Sequence, residues 1–148
     1  MALNQDIINY FDGKDIDIRT YSPLTLAYIG DDVFDLIIRT IVVNKGNTSP
    51  NKLHGNTVQY VSARAQSNIL DSIMPILTDE EKDIARRGRN SKPHSKAKNA
   101  STIDYLKATA LESIVGYLYL KDDMERIFEI IKYGINKIED DSWEIMKI

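Results

Sequence analysis

The sequence predicts an all-α fold, a single helical bundle, on three observations. Apolar residues recur at helical spacing in several long segments. Ser22 and Thr78 stand just before two of these segments, where a side-chain oxygen can cap a helix. Alternation of apolar and polar residues, the pattern of a strand, is nearly absent, with residues 15–18 a short exception. With 148 residues, the chain fits one compact domain with an ordinary core.

The first long helix is predicted from about Pro23 to Val43. Ser22 is its N-cap, and proline suits the first helical position because it has no N–H to leave unpaired. The helix should stop at Lys45-Gly46, since glycine readily adopts the left-handed conformation found at helix ends.

A second helix is expected to begin near Leu53 or Val58 and to end at Met74. Gly55 leaves its start open between these two positions. Pro75 ends it, because proline lacks the backbone donor and clashes with the preceding turn.

A short charged helix is predicted next. The segment from Thr78 to Glu81 has the capping-box pattern, in which the threonine caps forward and the glutamate reaches back. This helix fades near Gly88, and residues 90–100 are expected to form a loop.

The last two predicted helices span about Thr102 to Leu120 and Met124 to Ile138. The first of them is so rich in apolar residues that we expect it at the centre of the bundle. In the second, isoleucines recur at helical spacing and mark one buried face.

Charge is distributed unevenly along a chain of net charge −3. Residues 82–98, called the basic arm from here on, hold seven Lys or Arg against one Asp. One interpretation is a phosphate-rich partner, because Lys and Arg neutralise phosphates and release their counterions. The other is a solvated loop, and charge alone does not decide between them.

Composition limits the metal chemistry and the location. The chain has no cysteine, so a metal would need oxygen or histidine ligands. The N-terminus does not resemble a secretion signal, and no stretch approaches the ~20 apolar residues of a membrane span. We expect a soluble, cytoplasmic protein that does not associate with membranes.

Carboxylates interrupt two otherwise apolar helices. In the first, helical spacing places Ala27, Asp31 and Asp35 on one face, with Asp32 about 100° away. In the central helix, Glu112 has small residues one turn before and after it, Ala108 and Gly116.

If these two faces meet, Asp31 and Glu112 lie opposite each other, and two close carboxylates repel unless a cation separates them. Mg²⁺ suits such a pair, because it prefers oxygen ligands. The alternative is that the two acids pair with Lys107 or Arg39, or point to solvent.

At these residues the sequence resembles the ribonuclease III family. Ile29-Gly30-Asp31 is similar to the end of the family's signature helix motif, and residues 112–119, from Glu112 to Tyr119, are similar to its second motif. The closer likeness is to the Mini-ribonuclease III subfamily, which it resembles in consistent order from about Ser22 to Ile138. The subfamily-like segments are Leu26–Asp31, Val33–Asp35, Val61–Ala63, Ala65-Gln66 and Arg87–Asn90.

The resemblance implies a ribonuclease III endonuclease-domain-like helical bundle over residues 22–140. A lead segment, 1–21, would precede this catalytic domain and a tail, 141–148, would follow it, with no separate double-stranded-RNA-binding domain. It also implies a Mg²⁺-dependent endoribonuclease that acts as a homodimer on double-stranded RNA and leaves 5′-phosphate and 3′-hydroxyl ends. The expected substrate is the precursor of large-subunit (23S) ribosomal RNA, and assistance by a ribosomal protein is left open.

The sequence departs from the larger ribonucleases III at two positions. Those enzymes carry acids where this chain has Ala27 and Thr109, so the resemblance leaves Asp31 and Glu112 as the catalytic and metal-binding residues. Asp32 stands where a small residue is more usual, and we interpret it as surface charge.

The resemblance also favours RNA contact by the basic arm, because a duplex is recognised mainly through its shape, phosphates and 2′-hydroxyls. The predicted RNA-binding residues are Arg86, Arg87, Arg89, Asn90, Lys92, Lys96 and Lys98. His94 is interpreted as an RNA or solvent contact and His54 as a helix-start or packing residue.

Two other functions remain open from the sequence. One is a catalytically silent RNA-binding dimer with the same fold, although such a protein would have no reason to keep both acids in apolar helices. The other is an all-α nucleotide pyrophosphohydrolase, which needs dense acidic clusters. Its nearest candidate is Glu80-Glu81-Asp83, which the dipole at a helix N-terminus already explains.

Overall fold

The computed structural model describes residues 2–91 and 101–146. Within these ranges the chain is helical and has no strand, which confirms the all-α prediction. The α-helices are α1 (Leu3–Tyr10), α2 (Pro23–Asn44), α3 (Pro50–Val61), α4 (Ala63–Ile73), α5 (Asp79–Arg89), α6 (Thr102–Leu120) and α7 (Met124–Met146), with short 3₁₀ helices at Ile18–Thr20 and Met74–Ile76.

The predicted helix starts are formed by local side-chain caps. Ser22 accepts a hydrogen bond from the Thr25 amide at 3.2 Å, which begins α2. At α5 both halves of the capping box are present. The Glu81 amide donates to the Thr78 hydroxyl at 3.1 Å, and the Thr78 amide donates to the Glu81 carboxylate at 2.9 Å. Such caps contribute about 1 kcal/mol each.

The second predicted helix is two helices, α3 and α4. Ser62 leaves the helical conformation, with φ −62° and ψ 155°, and its hydroxyl accepts a hydrogen bond from the Ala65 amide at 3.2 Å. Ser62 is thus both the last cap of α3 and the first cap of α4. The prediction of one continuous helix was wrong because a serine inside a periodic segment can cap as well as continue it.

The two ends of the chain are more helical than the sequence predicts. Helix α1 lies within the expected lead segment, and the Asp122 carboxylate caps it by accepting hydrogen bonds from the amides of Asn4 and Gln5 at 2.9 and 3.1 Å. Helix α7 continues past Ile138 to Met146, into the stretch expected to be a tail. The bounds 22 and 140 of the catalytic domain stay a prediction.

Helix α6 is the centre of the bundle, as its composition predicts. It packs against α2, α4, α5 and α7, and its buried residues point in all directions. The core is built of fully buried aliphatic side chains and Phe34, each of which contributes about 1.5–3 kcal/mol through burial. The predicted face of α7 is confirmed in part of its length, since Ile127, Ile130 and Ile131 are all fully buried.

Candidate active site

Two glycines let α2 and α6 cross in backbone contact. A Cβ atom on Gly30 would lie 1.8 Å from the Glu112 carbonyl oxygen, and one on Gly116 would lie 1.9 Å from the Leu26 carbonyl oxygen. Neither position can hold a side chain without separating the helices. Glycine inside a helix costs about 0.5–1 kcal/mol relative to alanine, and the close crossing gives the reason for it here.

The crossing brings Asp31 and Glu112 together, as the sequence predicts. Asp31 follows Gly30 on the exposed side of α2, whereas Glu112 is half-buried on α6. The two carboxyl groups are within hydrogen-bonding reach of each other. Burial, followed by this hydrogen bond and the negative charge of Asp31, raises the pKa of Glu112 to about 9. Glu112 therefore keeps its proton at neutral pH when no cation is present.

The two cations that the sequence offered as partners for this pair are engaged elsewhere. Arg39 binds Asp35 at 2.7 Å within α2, and Lys107 binds Asp71 on α4 at 2.7 Å. The alternative in which Arg39 or Lys107 pairs with the two acids is therefore wrong. The pair has two carboxyl groups and no counter-ion from the part of the chain that the structure describes.

No third acid joins them among the side chains that the structure describes. Across residues 2–91 and 101–140, no three His, Asp or Glu side chains are grouped so that they could hold a metal ion. Ala27 and Thr109, the positions of the two departures, are buried, and the Thr109 hydroxyl donates to the Tyr105 carbonyl at 3.0 Å. Asp32 is exposed. A metal bound here would take two protein carboxylates and would complete its shell with water and substrate oxygens.

The acidic segment at the start of α5 does not form a second site. Arg126 donates to both oxygens of Glu81, at 2.8 and 2.9 Å, and Asp83 binds Arg86 at 2.6 Å. Glu80 accepts a hydrogen bond from the Tyr117 hydroxyl. All three acids therefore have structural partners, which removes the dense acidic cluster that a pyrophosphohydrolase would need.

The described portion of the basic arm lies at the end of α5. Arg86, Arg87 and Arg89 are exposed, and Asn90 is the C-cap of the helix. Arg87 and Arg89 form no ion pair with any residue in the described ranges, whereas Arg86 is held by Asp83. The remaining predicted RNA contacts lie outside the described residues, namely Lys92, Lys96, Lys98 and also His94. His54 is exposed within α3, in its second turn rather than at its start.

Sequence reasoning missed two packing residues of the site. The sequence identified Gly116 as a small neighbour of Glu112, but Gly30, which Gly116 meets in the crossing, stood out only as part of a motif. Sequence reasoning also missed Gly88, whose Cβ would lie 2.7 Å from the Ser113 hydroxyl oxygen. For Gly30 the available signal was a glycine in the interior of a predicted helix, whereas Gly88 lies where the sequence predicts that its helix fades.

An apolar groove of about 640 Å³ lies between α2 and α7. Leu36 and Phe128 line it while leaving more than half of their own surface exposed. Tyr28, on the same helix as Asp31, is 75% exposed. These side chains form an apolar surface on α2 and α7 that the described part of the chain does not cover. None of the described helices is long and apolar enough to cross a membrane.

Comparisons with known proteins identify the family and the fold. The family model of the ribonuclease III domain matches residues 24–123. A protein named Mini-ribonuclease 3 from Clostridium tetani is 45% identical over 137 residues, covering 90% of this chain and 91% of that protein. One of the same name from Brevibacillus brevis is 46% identical, covering 85% of this chain and 94% of that protein. A crystal structure of a Fusobacterium nucleatum protein, 37% identical, superposes with a TM-score of 0.73 and covers 82% of this chain and 98% of that one.

Proposed function

The chain belongs to the ribonuclease III family and is an endoribonuclease, and we propose that it cleaves double-stranded RNA with Mg²⁺ held by Asp31 and Glu112. The observation that carries this proposal is the facing carboxylate pair in the α2–α6 crossing. We further propose that cleavage leaves 5′-phosphate and 3′-hydroxyl ends.

The carboxylate pair fits a hard divalent cation. Its donors are oxygens, its carboxyl groups are close together, and burial together with Asp31 holds the pKa of Glu112 at about 9 because no described cation offsets them. A divalent cation held by Asp31 and Glu112 would supply that positive charge. Its binding would require Glu112 to lose its proton to solvent, so binding should tighten as the pH rises toward 9.

The two acids have different tasks because they differ in exposure. Asp31 lies on the exposed side of α2, where an RNA phosphate can approach it, whereas Glu112 holds its position from within the bundle. A bound Mg²⁺ would supply an activated water and stabilise charge on the phosphate and the leaving oxygen. Asp31 and Glu112 would hold and orient the ion. The backbone crossing at Gly30 and Gly116 fixes the distance between these two acids.

The basic end of α5 supplies the RNA contact in this proposal. Arg87 and Arg89 are exposed and have no described acidic partner, so they are available to phosphates. Arg86 would have to leave Asp83 in order to bind a phosphate. The cost is small, because exposed ion pairs of this kind contribute less than about 1 kcal/mol. We assign Asn90, Lys92, Lys96 and Lys98 to the same contact on sequence alone.

Our proposals for the oligomeric state and the biological substrate rest on likeness to the same family. We propose a homodimer, supported by the uncovered apolar side chains of Tyr28, Leu36 and Phe128. Because Tyr28 and Leu36 share α2 with Asp31, a second copy packed there would bring two sites to one surface. The proposed biological substrate is the 23S ribosomal RNA precursor in the cytoplasm. Sedimentation velocity of the purified chain checks the dimer, and a monomer at micromolar concentration would contradict it.

The experiment that tests the proposed function uses one RNA sequence in two forms. The purified chain is incubated with a long duplex and with the matching single strand, each in Mg²⁺ and in EDTA. We expect cleavage of the duplex in Mg²⁺ alone. Cleavage in EDTA would contradict the metal assignment, and preferential cleavage of the single strand would contradict the substrate. Binding of the duplex without cleavage in Mg²⁺ would favour the silent RNA-binding dimer.

A further inference from the structure

Helix α6 carries two tight crossings within residues 110–116. Helix α2 crosses at Gly30 and Gly116, as described above, and α5 crosses at Gly88. A Cβ atom on Gly88 would lie 2.7 Å from the Ser113 hydroxyl oxygen and 3.1 Å from the Ala110 Cα atom. The Glu112 carbonyl belongs to the α2 contact, and Ala110 and Ser113 on either side of it form the α5 contact, so one short segment of α6 fixes both neighbouring helices.

Helix α5 is held at both of its ends. At its start, Arg126 of α7 binds Glu81 at 2.8 Å and also donates to the Ile76 carbonyl at 2.9 Å. At its other end, buried Gly88 rests on Ser113. The arginines on either side of Gly88, residues 87 and 89, are therefore attached to a helix that cannot slide or tilt freely against α6.

Ser113 connects this contact to α2. Its side chain is fully buried, and its hydroxyl lies within hydrogen-bonding distance of two carbonyl oxygens, 3.0 Å from that of Pro23 on α2 and 2.8 Å from that of Thr109 on α6. The helix with Asp31, the helix with Glu112 and the helix with the arginines thus meet at one serine.

We propose that Gly88 and Ser113 are positioning residues that set the distance between the RNA-binding end of α5 and the carboxylate pair. This distance determines which phosphodiester reaches Asp31 and Glu112 when the arginines hold phosphates further along the duplex. The inference rests on the proposed function, because it needs both the RNA contact and the site. Precise placement matters, since a misplacement of about 1 Å can cost about a hundredfold in rate.

The test begins with Gly88→Ala. Its methyl group would sit 2.7 Å from the Ser113 oxygen and 3.1 Å from the Ala110 Cα atom, and ordinary contact begins at 3.4 Å, so the Ser113 side chain or α5 must shift, and we expect α5 to be displaced from α6. On a defined duplex in Mg²⁺ we expect kcat to fall about tenfold or more, while KM and the salt dependence of binding stay near wild type because the arginines remain. Gly55→Ala is the matched control. It also replaces a helical glycine, but nothing lies within 4 Å of the added methyl group, so kcat should not change.

A second substitution separates positioning from damage to the fold. Gly88→Ala/Ser113→Ala removes the oxygen that the new methyl group meets, and kcat should recover several-fold over Gly88→Ala alone. Ser113→Ala by itself loosens the contact, so mapping of its products should show at least twice the wild-type share of cuts at neighbouring phosphodiesters. This variant keeps the inference testable if Gly88→Ala does not fold.

The outcomes are distinct. A wild-type kcat in Gly88→Ala, a loss no larger than its loss of folded protein, or no recovery in the double variant would overturn the inference. So would an unchanged product pattern in Ser113→Ala. Failure of the wild-type chain to cut duplex RNA in Mg²⁺ is a different result, because it removes the proposed function itself.

Discussion

Glu81 and Glu112 both lie within the helical bundle, and their surroundings shift their pKa values in opposite directions. Burial raises the pKa of Glu81, but hydrogen bonds from Arg126 and from the Thr78 amide outweigh burial and hold it below 4.5. Burial and Asp31 raise the pKa of Glu112 to about 9. The first glutamate has its cation within the chain. The second faces another acid, and no residue in the described part of the chain supplies its counter-charge.

Glu81 has a structural neighbour of opposite charge, whereas Glu112 has a neighbour that is itself an acid. Arg126 and Glu81 join α5 to α7, and their charges cancel where they stand. Asp31 and Glu112 are brought together by glycines that allow the helices to cross, and as two acids neither offers the other a counter-charge. Strongly shifted pKa values occur in both structural networks and functional sites, and the sign of the neighbour distinguishes the two here.

The largest expected effect is on cleavage. Asp31→Asn or Glu112→Gln should lower kcat on duplex RNA by on the order of a hundredfold or more, because each removes one of two anionic ligands where charge develops. Duplex affinity in EDTA and the dimer should remain, as filter binding and sedimentation would show. Near-wild-type cleavage by either variant in Mg²⁺ would remove these residues from the site.

The next effect is on stability, at the other glutamate. Arg126→Ala leaves Glu81 buried without its partner and should lower the free energy of unfolding by about 3 kcal/mol or more. Urea denaturation measures this change. The control is Arg39→Ala, which breaks an exposed pair with Asp35 and should cost less than about 1 kcal/mol. Equal losses of unfolding free energy in the two variants would mean that the buried Arg126–Glu81 pair stabilises the fold no more than an exposed pair does.

The two glutamates should also give opposite pH slopes in metal-free protein. Glu112 has a raised pKa, so the folded state holds a proton that the unfolded state releases, and stability falls as the pH rises from 4.5 toward 9. Glu81 has a lowered pKa, so its contribution is present above 4.5 and is lost as the pH falls below it.

Glu112→Gln isolates the first of these slopes. At pH 8 in EDTA the variant should be more stable than wild type by about 1–3 kcal/mol, since an amide is uncharged in the unfolded chain too and needs no proton from solvent on folding. Its stability should also depend less on pH between 4.5 and 9. Thermal unfolding across this range provides the measurement, and a less stable, equally pH-dependent variant would contradict the interpretation.

The smallest effect concerns Arg87 and Arg89, which have no acidic partner among the described residues. Arg87→Ala/Arg89→Ala should weaken duplex binding and reduce the slope of log affinity against log salt by about one per arginine. Arg19→Ala removes an exposed arginine outside the basic arm, one that already binds Asp17 at 2.8 Å, and should leave the slope unchanged. A wild-type salt slope in the double variant would show that the end of α5 is a solvated surface that does not contact RNA phosphates.

Local chemistry explains what the sequence could predict. The start of α2 at Ser22 and the capping box of α5 depend on residues three positions apart, so they are visible in the sequence. The facing of Asp31 and Glu112 was also predictable, because an acid in an apolar helix needs an explanation and small residues indicate a close crossing.

The features that the sequence could not predict depend mostly on contacts between residues far apart in the chain. Nothing in the sequence indicates that Arg126 binds Glu81, 45 positions earlier, rather than an exposed acid nearby. The role of Gly88 depends on where α5 meets Ser113, and that is a property of packing. The division at Ser62 was missed because both caps come from one residue whose neighbours continue the helical pattern.

The glycine crossing has a thermodynamic consequence. Because Gly30 and Gly116 let the helices touch, folding itself brings Glu112 against Asp31, and the metal-free protein must keep a proton on Glu112 at neutral pH. In the proposed function a bound cation would take the place of that proton, and relief from the cost of protonation would add to the affinity for the ion. Stability and metal affinity are therefore opposed at this position. The variant that folds most tightly without metal should be among those that bind it least.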